Sequence, residues 1–312
     1  MWQFALKRTA GLVPVLLVAV LLTFIAIQFV PGDPVQIMLS DHSGNVEMEK
    51  RLRAAYGLDR PLYEQFWLYL KHIGRGDFGY SYRYTNHTVY EIIRPSLYTS
   101  PILAVAALLI TLPPGIFLGV FAALRRNQWK DTGVILGLVT GISIPNFALA
   151  AFLMYLFGVK LRLLPVAGWG KPVNLVLPIL VLAVAPVAYL ARLTRTYMLE
   201  VLQNDYVRTA RAKGLRHRLV IYRHALRNAL VPLLTTVGLI FGGLLSGTFV
   251  VEKVFNIPGL GSLAIDSIFA RDYPVVMTIV LLFTAFYSVI NLVVDLLYAV
   301  IDPRIRLTSR GP

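Results

Sequence analysis

The feature that most constrains this chain is a series of six apolar runs, at residues 10–30, 97–124, 132–158, 175–190, 229–251 and 274–301. A bilayer core about 30 Å thick takes roughly 20 apolar residues of helix to cross. Inside hydrocarbon the backbone has no water to bond, so a crossing run of this length is helical. The runs predict an all-α polytopic membrane protein with six transmembrane helices. Composition agrees: of 312 residues, 57% are hydrophobic and only 15% charged, against about 25% charged in a soluble domain.

The first run competes with a cleaved signal peptide. Such a peptide has an apolar core of about 7–15 residues and ends in a small-x-small site. Here the run is longer and ends in Val30-Pro31-Gly32-Asp33-Pro34, so it reads as a retained helix. No cysteine occurs, which excludes disulfides, zinc–thiolate clusters and thiol nucleophiles.

The net charge of +14 invites a nucleic-acid reading, but its distribution points to the membrane. With six spans, the connecting segments alternate sides. Residues 1–9, 125–131, 192–227 and the tail from 302 carry 17 Lys and Arg, against 13 on the other side. Long translocated segments such as 31–95 weigh little in the positive-inside count. Both termini are therefore expected in the cytoplasm. The chain divides into 1–30 (N-terminus and first span), 31–95 (an extracytoplasmic segment), 96–302 (a five-helix core with a cytoplasmic loop at 192–227) and a tail at 303–312.

Within 31–95, residues 47–56 read as a helix closed by Gly57. A second helical pattern opens at Arg60-Pro61 and runs to Leu70 with Tyr63, Phe66, Trp67 and Tyr69. That aromatic face suits a lipid boundary or a partner protein. Residues 74–79, Gly-Arg-Gly-Asp-Phe-Gly, lack the Lys-Ser/Thr ending of a phosphate loop and read as a turn.

Small residues recur at four-residue spacing in three spans: Gly115/Gly119, Gly133/Gly137/Gly141, and Gly238/Gly242 with Gly243/Gly247. Such spacing lets helix backbones approach closely. Pro101, Pro113, Pro114, Pro145, Pro178 and Pro186 interrupt backbone bonding in or near spans. Lipid tolerates this where neighbours satisfy the freed groups.

The most basic stretch is 204–232, NDYVRTARAKGLRHRLVIYRHALRNALVP. Residues 205–214 read as a short helix, with Asp205 or Asn204 capping its start and Gly214 closing its end in the left-handed conformation. Tyr206, Val207, Ala210 and Gly214 share one mildly apolar face, away from Arg208, Arg211 and Lys213. So short a helix is marginal alone and has to rest on something. Beyond it an amphipathic helix is expected, with Arg216, Arg223 and Arg227 on one stripe and Leu219, Leu226, Leu230 and Leu233 opposite. His217 and His224, seven apart, do not make a metal pair.

Asp295 is the ionisable group inside the apolar runs, and burying it is costly. It either serves the path or pairs with an arginine near the end of its helix, with Asn291 one turn away. Ser143, Asn146, Thr235, Ser246 and Thr248 are polar groups that line a path or bond between helices. No Walker A, HExxH or Gly-x-Ser-x-Gly pattern is present. Catalysis is not expected on this chain, nor a cofactor.

The stretch 204–232 resembles the cytoplasmic loop of ABC-importer permeases of the dipeptide, oligopeptide and nickel group. Arg208, Thr209 and Ala210 stand where the family's general pattern has Glu-Ala-Ala, with Gly214 at the expected spacing. His224-Ala225-Leu226-Arg227, with proline only at Pro232, resembles the peptide branch. The ends VPGDP, GDFG and DLLYAVIDPRIR resemble it too. The resemblance implies the type I importer permease fold and a homologous second permease subunit. It also implies two ABC ATPase subunits that carry ATP and Mg, and an extracytoplasmic solute-binding protein delivering short peptides. It assigns Asp205, Arg208, Thr209, Ala210, Lys213 and Gly214 to ATPase coupling. A secondary transporter or channel is the alternative; it needs ionisable groups near the midplane, and a membrane hydrolase needs a nucleophile and base that are not found.

Overall fold

A computed structural model describes residues 2–33, 35, 36, 39, 46–84 and 86–301, with side chains from 8 to 296. Asp302, the tail 303–312 and Pro34 of the VPGDP stretch lie outside the described residues. Among the described residues the chain is helical, with one isolated bridge between Tyr80 and Thr88. The helices are α1 (Trp2–Gln28), α2 (Val46–Ala55), α3 (Leu62–Ile73), α4 (Val89–Ile93), α5 (Thr99–Leu124), α6 (Trp129–Ser143) and α7 (Asn146–Leu153). There follow α8 (Val176–Leu202), α9 (Asp205–Ala212), α10 (His217–Val254), α11 (Leu260–Phe269) and α12 (Tyr273–Ile301).

Five of these runs are long and apolar enough to cross a membrane: Arg8–Gln28, Val89–Leu124, Pro172–Leu202, His217–Val254 and Tyr273–Leu296. A sixth exists if α6 and the run from Asn146 to Lys160 count as one span, bent by 98°. The span expected at 132–158 is therefore broken, at the Pro145 that the sequence marks. The cause is local: Ile144, which precedes Pro145, is extended (φ −85°, ψ 119°), as a residue before proline prefers. The apolar run at 175–190 is likewise only part of α8, which continues through Arg192 and Arg195 to Leu202.

The chain forms two compact units. One comprises residues 1–8, 100–257 and 287–312. Its core is α8, packed on α6, α7 and α10, with Leu182, Leu190 and Met198 of α8 and Phe241 and Leu244 of α10 fully buried. Two of the glycine pairs read from the sequence make the close approaches. A Cβ on Gly119 would lie 2.5 Å from the Ala191 carbonyl oxygen and from the Thr194 side chain, and one on Gly242 would lie 2.6 Å from the Tyr287 ring. Gly238 is covered by Asn291. Gly133, Gly137 and Gly243 face open space, so spacing alone overcounts contacts.

The other unit comprises residues 9–99 and 258–286. Asp272, fully buried, gathers the loop after Gly79: it accepts from the Ser81 hydroxyl, from Tyr82 N (3.0 Å) and from Arg83 N (3.4 Å). Thr88 and Glu91 form a reciprocal capping box that starts α4. Tyr56 packs edge-on against Tyr82 at 5.1 Å, and Tyr82 against Tyr273 at 6.2 Å. Burial, and then the Asp272 carboxylate, push the Tyr82 hydroxyl well above its usual range. Burial likewise pushes Tyr69 up to about 12. These rings and α1–α3 wall a cavity of about 450 Å³, to which Gln28, Arg60, Gln65, His72 and Asp77 contribute polar groups. The Gly-rich stretch 74–79 is the turn that its sequence suggests, with Gly76 and Gly79 at φ +76° and +78°.

Two outcomes follow from this packing. Gly119→Val forces α5 off α8 and should lower the thermal unfolding midpoint in detergent by the equivalent of about 1–3 kcal/mol, whereas Gly133→Ala, which meets no neighbour, should leave it unchanged or raise it slightly. Asp77 is held below the usual carboxylate range first by the Gly79 amide (2.9 Å) and then by the His72 ring (2.7 Å). A depressed folded pKa contributes stability above the unfolded value and loses it as pH falls through the folded one. Hydrogen-exchange protection of the Gly79 amide should therefore drop on acidification below the ordinary carboxylate range, and Asp77→Asn should abolish that dependence.

Candidate functional site: the basic helix between two spans

Helix α9 is joined to the end of α8 by two residues, Gln203 and Asn204. Its start differs from the expectation: Asn204 occupies the N-cap position, but no side chain caps the free amides. Asp205 sits one residue later, where its carboxylate complements the helix dipole. It also lies 3.6 Å from the Arg208 guanidinium, an exposed pair that adds little stability. The end agrees with the sequence. Gly214 has φ +73°, Gly214 N donates to the Arg211 carbonyl (2.9 Å), and Leu215 N reaches the Ala210 carbonyl (3.4 Å). Those two bonds are the Schellman pattern, which satisfies carbonyls that the helix would leave open.

What α9 rests on is its own chain. Val207 and Ala210 are buried against Val220, with Val201 and Leu202 packed alongside. Tyr206, by contrast, is exposed, and its hydroxyl accepts from Asn228 Nδ2 (3.1 Å). Gly214 is also exposed. The expected four-residue apolar face is thus a two-residue plug. Ala210 thus meets Val220 of its own chain. Thr209 donates to the Asp205 carbonyl (2.9 Å). Arg208, Thr209, Arg211 and Lys213 form the outward face.

Val220 belongs to a π-helical stretch, Val220–Leu226, near the start of α10. Ile221, Ala225 and Ala229 there pack with Val120 and Ala123 of α5 and Met198 of α8. The foot of α10 is therefore wedged between two spans while carrying α9 on its other side. The wide turns also change the expected arginine stripe, since π turns add a residue each. Arg216 stands before the helix, and Arg223 and Arg227 are exposed on it.

The path candidates separate. Ser143 at the end of α6 donates back to the Val139 carbonyl (2.8 Å), and Thr235 to that of Pro232 (2.8 Å); both are exposed. Thr248 is fully buried and bonded to the Leu245 carbonyl (2.8 Å), so it packs rather than lines. Asn146 of α7 comes beside Gly247 of α10: a Cβ there would lie 3.5 Å from its amide nitrogen. Ser246 is exposed and, with Thr235, Leu239, Gly243 and Val250, follows one stripe of α10. Asp295 is paired with Arg8 at 3.3 Å, and Asn291 turns to the Tyr287 carbonyl (3.1 Å) and to Gly238 instead of joining it. Of the two readings of Asp295, the arginine pair is what the geometry supports.

Sequence reasoning missed a buried, bidentate ion pair of the first unit. Asp131, 3% exposed, takes Arg195 Nε (2.8 Å) and Nη2 (2.7 Å) in a bidentate pair and also accepts from Asn127 N (3.1 Å). Arg195 lies on α8 ten residues before α9 begins. Neither residue stood out, because each was counted as loop charge. The signal available was an acid at the very start of an apolar run and an arginine that α8 carries past its own. Removing one partner strands a buried charge, at a cost of about 3–5 kcal/mol. Asp131→Ala and Arg195→Ala should each destabilise the protein by that order, and the double variant by less than the sum, in a double-mutant cycle read by thermal unfolding.

Up to six membrane-length helices among the described residues, with a short basic helix between two of them, define a multi-pass membrane protein. The chain belongs to the family of binding-protein-dependent transport system inner membrane components, whose profile matches residues 115–307, with the family's N-terminal component matching residues 1–100. It is 43% identical over 315 residues to the dipeptide transport system permease protein DppB of Bacillus subtilis, covering 100% of each chain. It is also 43% identical over 306 residues to the glutathione transport system permease protein GsiC of Salmonella typhimurium, covering 98% of this chain and 99% of that one. Its fold is that of the inward-facing MetNI methionine ABC transporter, at TM-score 0.59 and 17% identity over 68% of this chain and 96% of that chain. The type I importer fold expected from the sequence is thus present, and the chain is a permease component of a binding-protein-dependent importer.

Proposed function

We propose that this permease takes up short peptides, with α9 receiving the movement of an ATPase. The relatives named for dipeptide and glutathione both handle short peptides, which supports the substrate class. On this reading a homologous second permease chain completes the path. Two ABC ATPase subunits hold ATP and Mg beneath it, and an extracytoplasmic binding protein delivers the peptide. Segment 31–95 faces outward, while the termini and the loop 192–227 face the cytoplasm, in keeping with the excess of Lys and Arg on that side.

The observation that carries the coupling role is the division of α9 into two faces. Val207 and Ala210 plug into Val220 at the foot of α10, while Arg208, Thr209, Arg211 and Lys213 are presented outward. A push on the outer face reaches two spans at once: α8 through the short Gln203-Asn204 link and α10 through the plug. Gly214 closes the helix so that it moves as one piece. Movement of α8 and α10 then opens the path on alternate sides. On this reading Ser143, Asn146, Thr235 and Ser246 are the polar groups that meet the peptide. A stand-alone transporter fits poorly, since Asp295 is already engaged by Arg8.

The test uses the exposed face, where substitution leaves the fold intact. Arg208→Glu with Lys213→Glu should abolish ATPase co-purification and peptide uptake in membranes, with unchanged abundance and thermal midpoint of the permease. Undiminished assembly and uptake would sink the coupling role. Gly214→Val strains a left-handed position, at about 1 kcal/mol or more. It should reduce uptake while leaving the permease in the membrane.

A further inference from the structure

Helix α3 (Leu62–Ile73) has two faces with different tasks. At about 100° per residue, Gln65, Leu68, Tyr69 and His72 point to one side and wall the cavity of the second unit. Phe66, Leu70, Tyr63 and Trp67 form a continuous arc on the other. Phe66 at one edge of that arc rests on Phe24 of α1, with ring centroids 5.3 Å apart. Phe24 lies four residues inside the end of the apolar run Arg8–Gln28, roughly 6 Å of helix rise. The contact therefore fixes the depth of α3 where hydrocarbon gives way to headgroups.

At that depth Tyr63 and Trp67 of the arc are bare. Tyr63 is 73% and Trp67 69% exposed, and on and just after α1 Leu22, Ile25 and Phe29 are exposed as well. Span and α3 thus both carry exposed apolar side chains, and the Phe24–Phe66 contact joins the two helices. Lys71 in the last turn and Arg75 just beyond the helix are exposed, as residues that meet lipid phosphates would be. Tyrosine and tryptophan rings favour this boundary because one part of each is apolar and the other polar. A helix with such a face lies in the interface when its apolar side meets acyl chains.

We infer that α3 is an interfacial helix, seated through Tyr63 and Trp67 in the lipid leaflet at the Gln28 end of α1. The lipid holds the outer flank of the cavity wall, so the leaflet is a structural partner of the segment between the first two spans. The inference depends on the Phe24–Phe66 contact and the bare Tyr63 and Trp67, and on neither the peptide nor the ATPase assignment.

The chain has no cysteine, so Trp67→Cys provides a unique site for a nitroxide label, with Arg51→Cys on the polar helix α2 as an aqueous reference. Each labelled chain is incorporated with its partners into nanodiscs of phosphatidylethanolamine and phosphatidylglycerol, and unlabelled-site background is taken from the cysteine-free chain. The label at 67 should collide more with oxygen than with a water-soluble nickel chelate, and the label at 51 the reverse. A label at 67 as open to the chelate as that at 51 overturns the inference. So does one that is shielded only after the binding protein is added, which would make a protein the occupant. As an independent check, Trp67 fluorescence, with Trp2, Trp129 and Trp169 replaced by phenylalanine, should be quenched by lipids brominated near the headgroup and spared by acrylamide.

Discussion

The arrangement depends on how closely α8 can approach its neighbours. In lipid there is little hydrophobic gain from pairing two apolar helices, so association rests on packing and on polar contacts between them. Gly119 supplies the packing by letting α5 come within reach of the Ala191 backbone. Arg195 supplies the polar contact by taking both oxygens of Asp131. With α8 fixed on both sides, Met198 near its end lies against Ile221 and Ala225 of α10. The point at which the chain leaves α8 and the point at which it re-enters α10 are thereby set together. Helix α9 spans the gap between them.

That setting explains why so short a helix is formed. Eight residues hold few internal hydrogen bonds, and α9 has no side-chain cap at its start. Its stability has to come from outside: the Val207–Ala210 plug, the Tyr206–Asn228 bond and the two bonds closing around Gly214. Each of these ties α9 to α10 or completes its last turn. The helix is accordingly rigid with respect to α10, and its charged residues are left on the surface that its own chain does not use.

Much of this was legible because membrane helices announce themselves by length and apolarity. The count of six runs, the break signalled by Pro145 and the Gly214 closure all follow from local chemistry. The glycine pairs were legible only by half. Spacing states that two small residues share a face, but which face meets a neighbour is decided by tertiary packing, so Gly115/Gly119 pack while Gly133 and Gly137 stay open. The face of α9 was misjudged for a related reason. Periodicity placed Tyr206 and Gly214 with Val207 and Ala210, yet only the last two pack in the buried cluster with Val220, while Tyr206 reaches Asn228 instead. The Asp131–Arg195 pair was invisible, since partners 64 residues apart carry no local signature.

The charged residues show the same division between local and tertiary causes. Asp295 looked like an expensive lone charge in an apolar helix. It is only part-buried and lies against Arg8, so the cost is met by a cation near the chain's start. Asp131 looked like a loop residue, and it is the more deeply buried of the two. A carboxylate's position in a hydropathy profile reports the medium around its helix, whereas its role is set by which cation the fold brings to it. The fold brings an arginine to each of these two acids, and both arginines lie toward helix ends, where guanidinium groups are delivered without crossing the hydrocarbon.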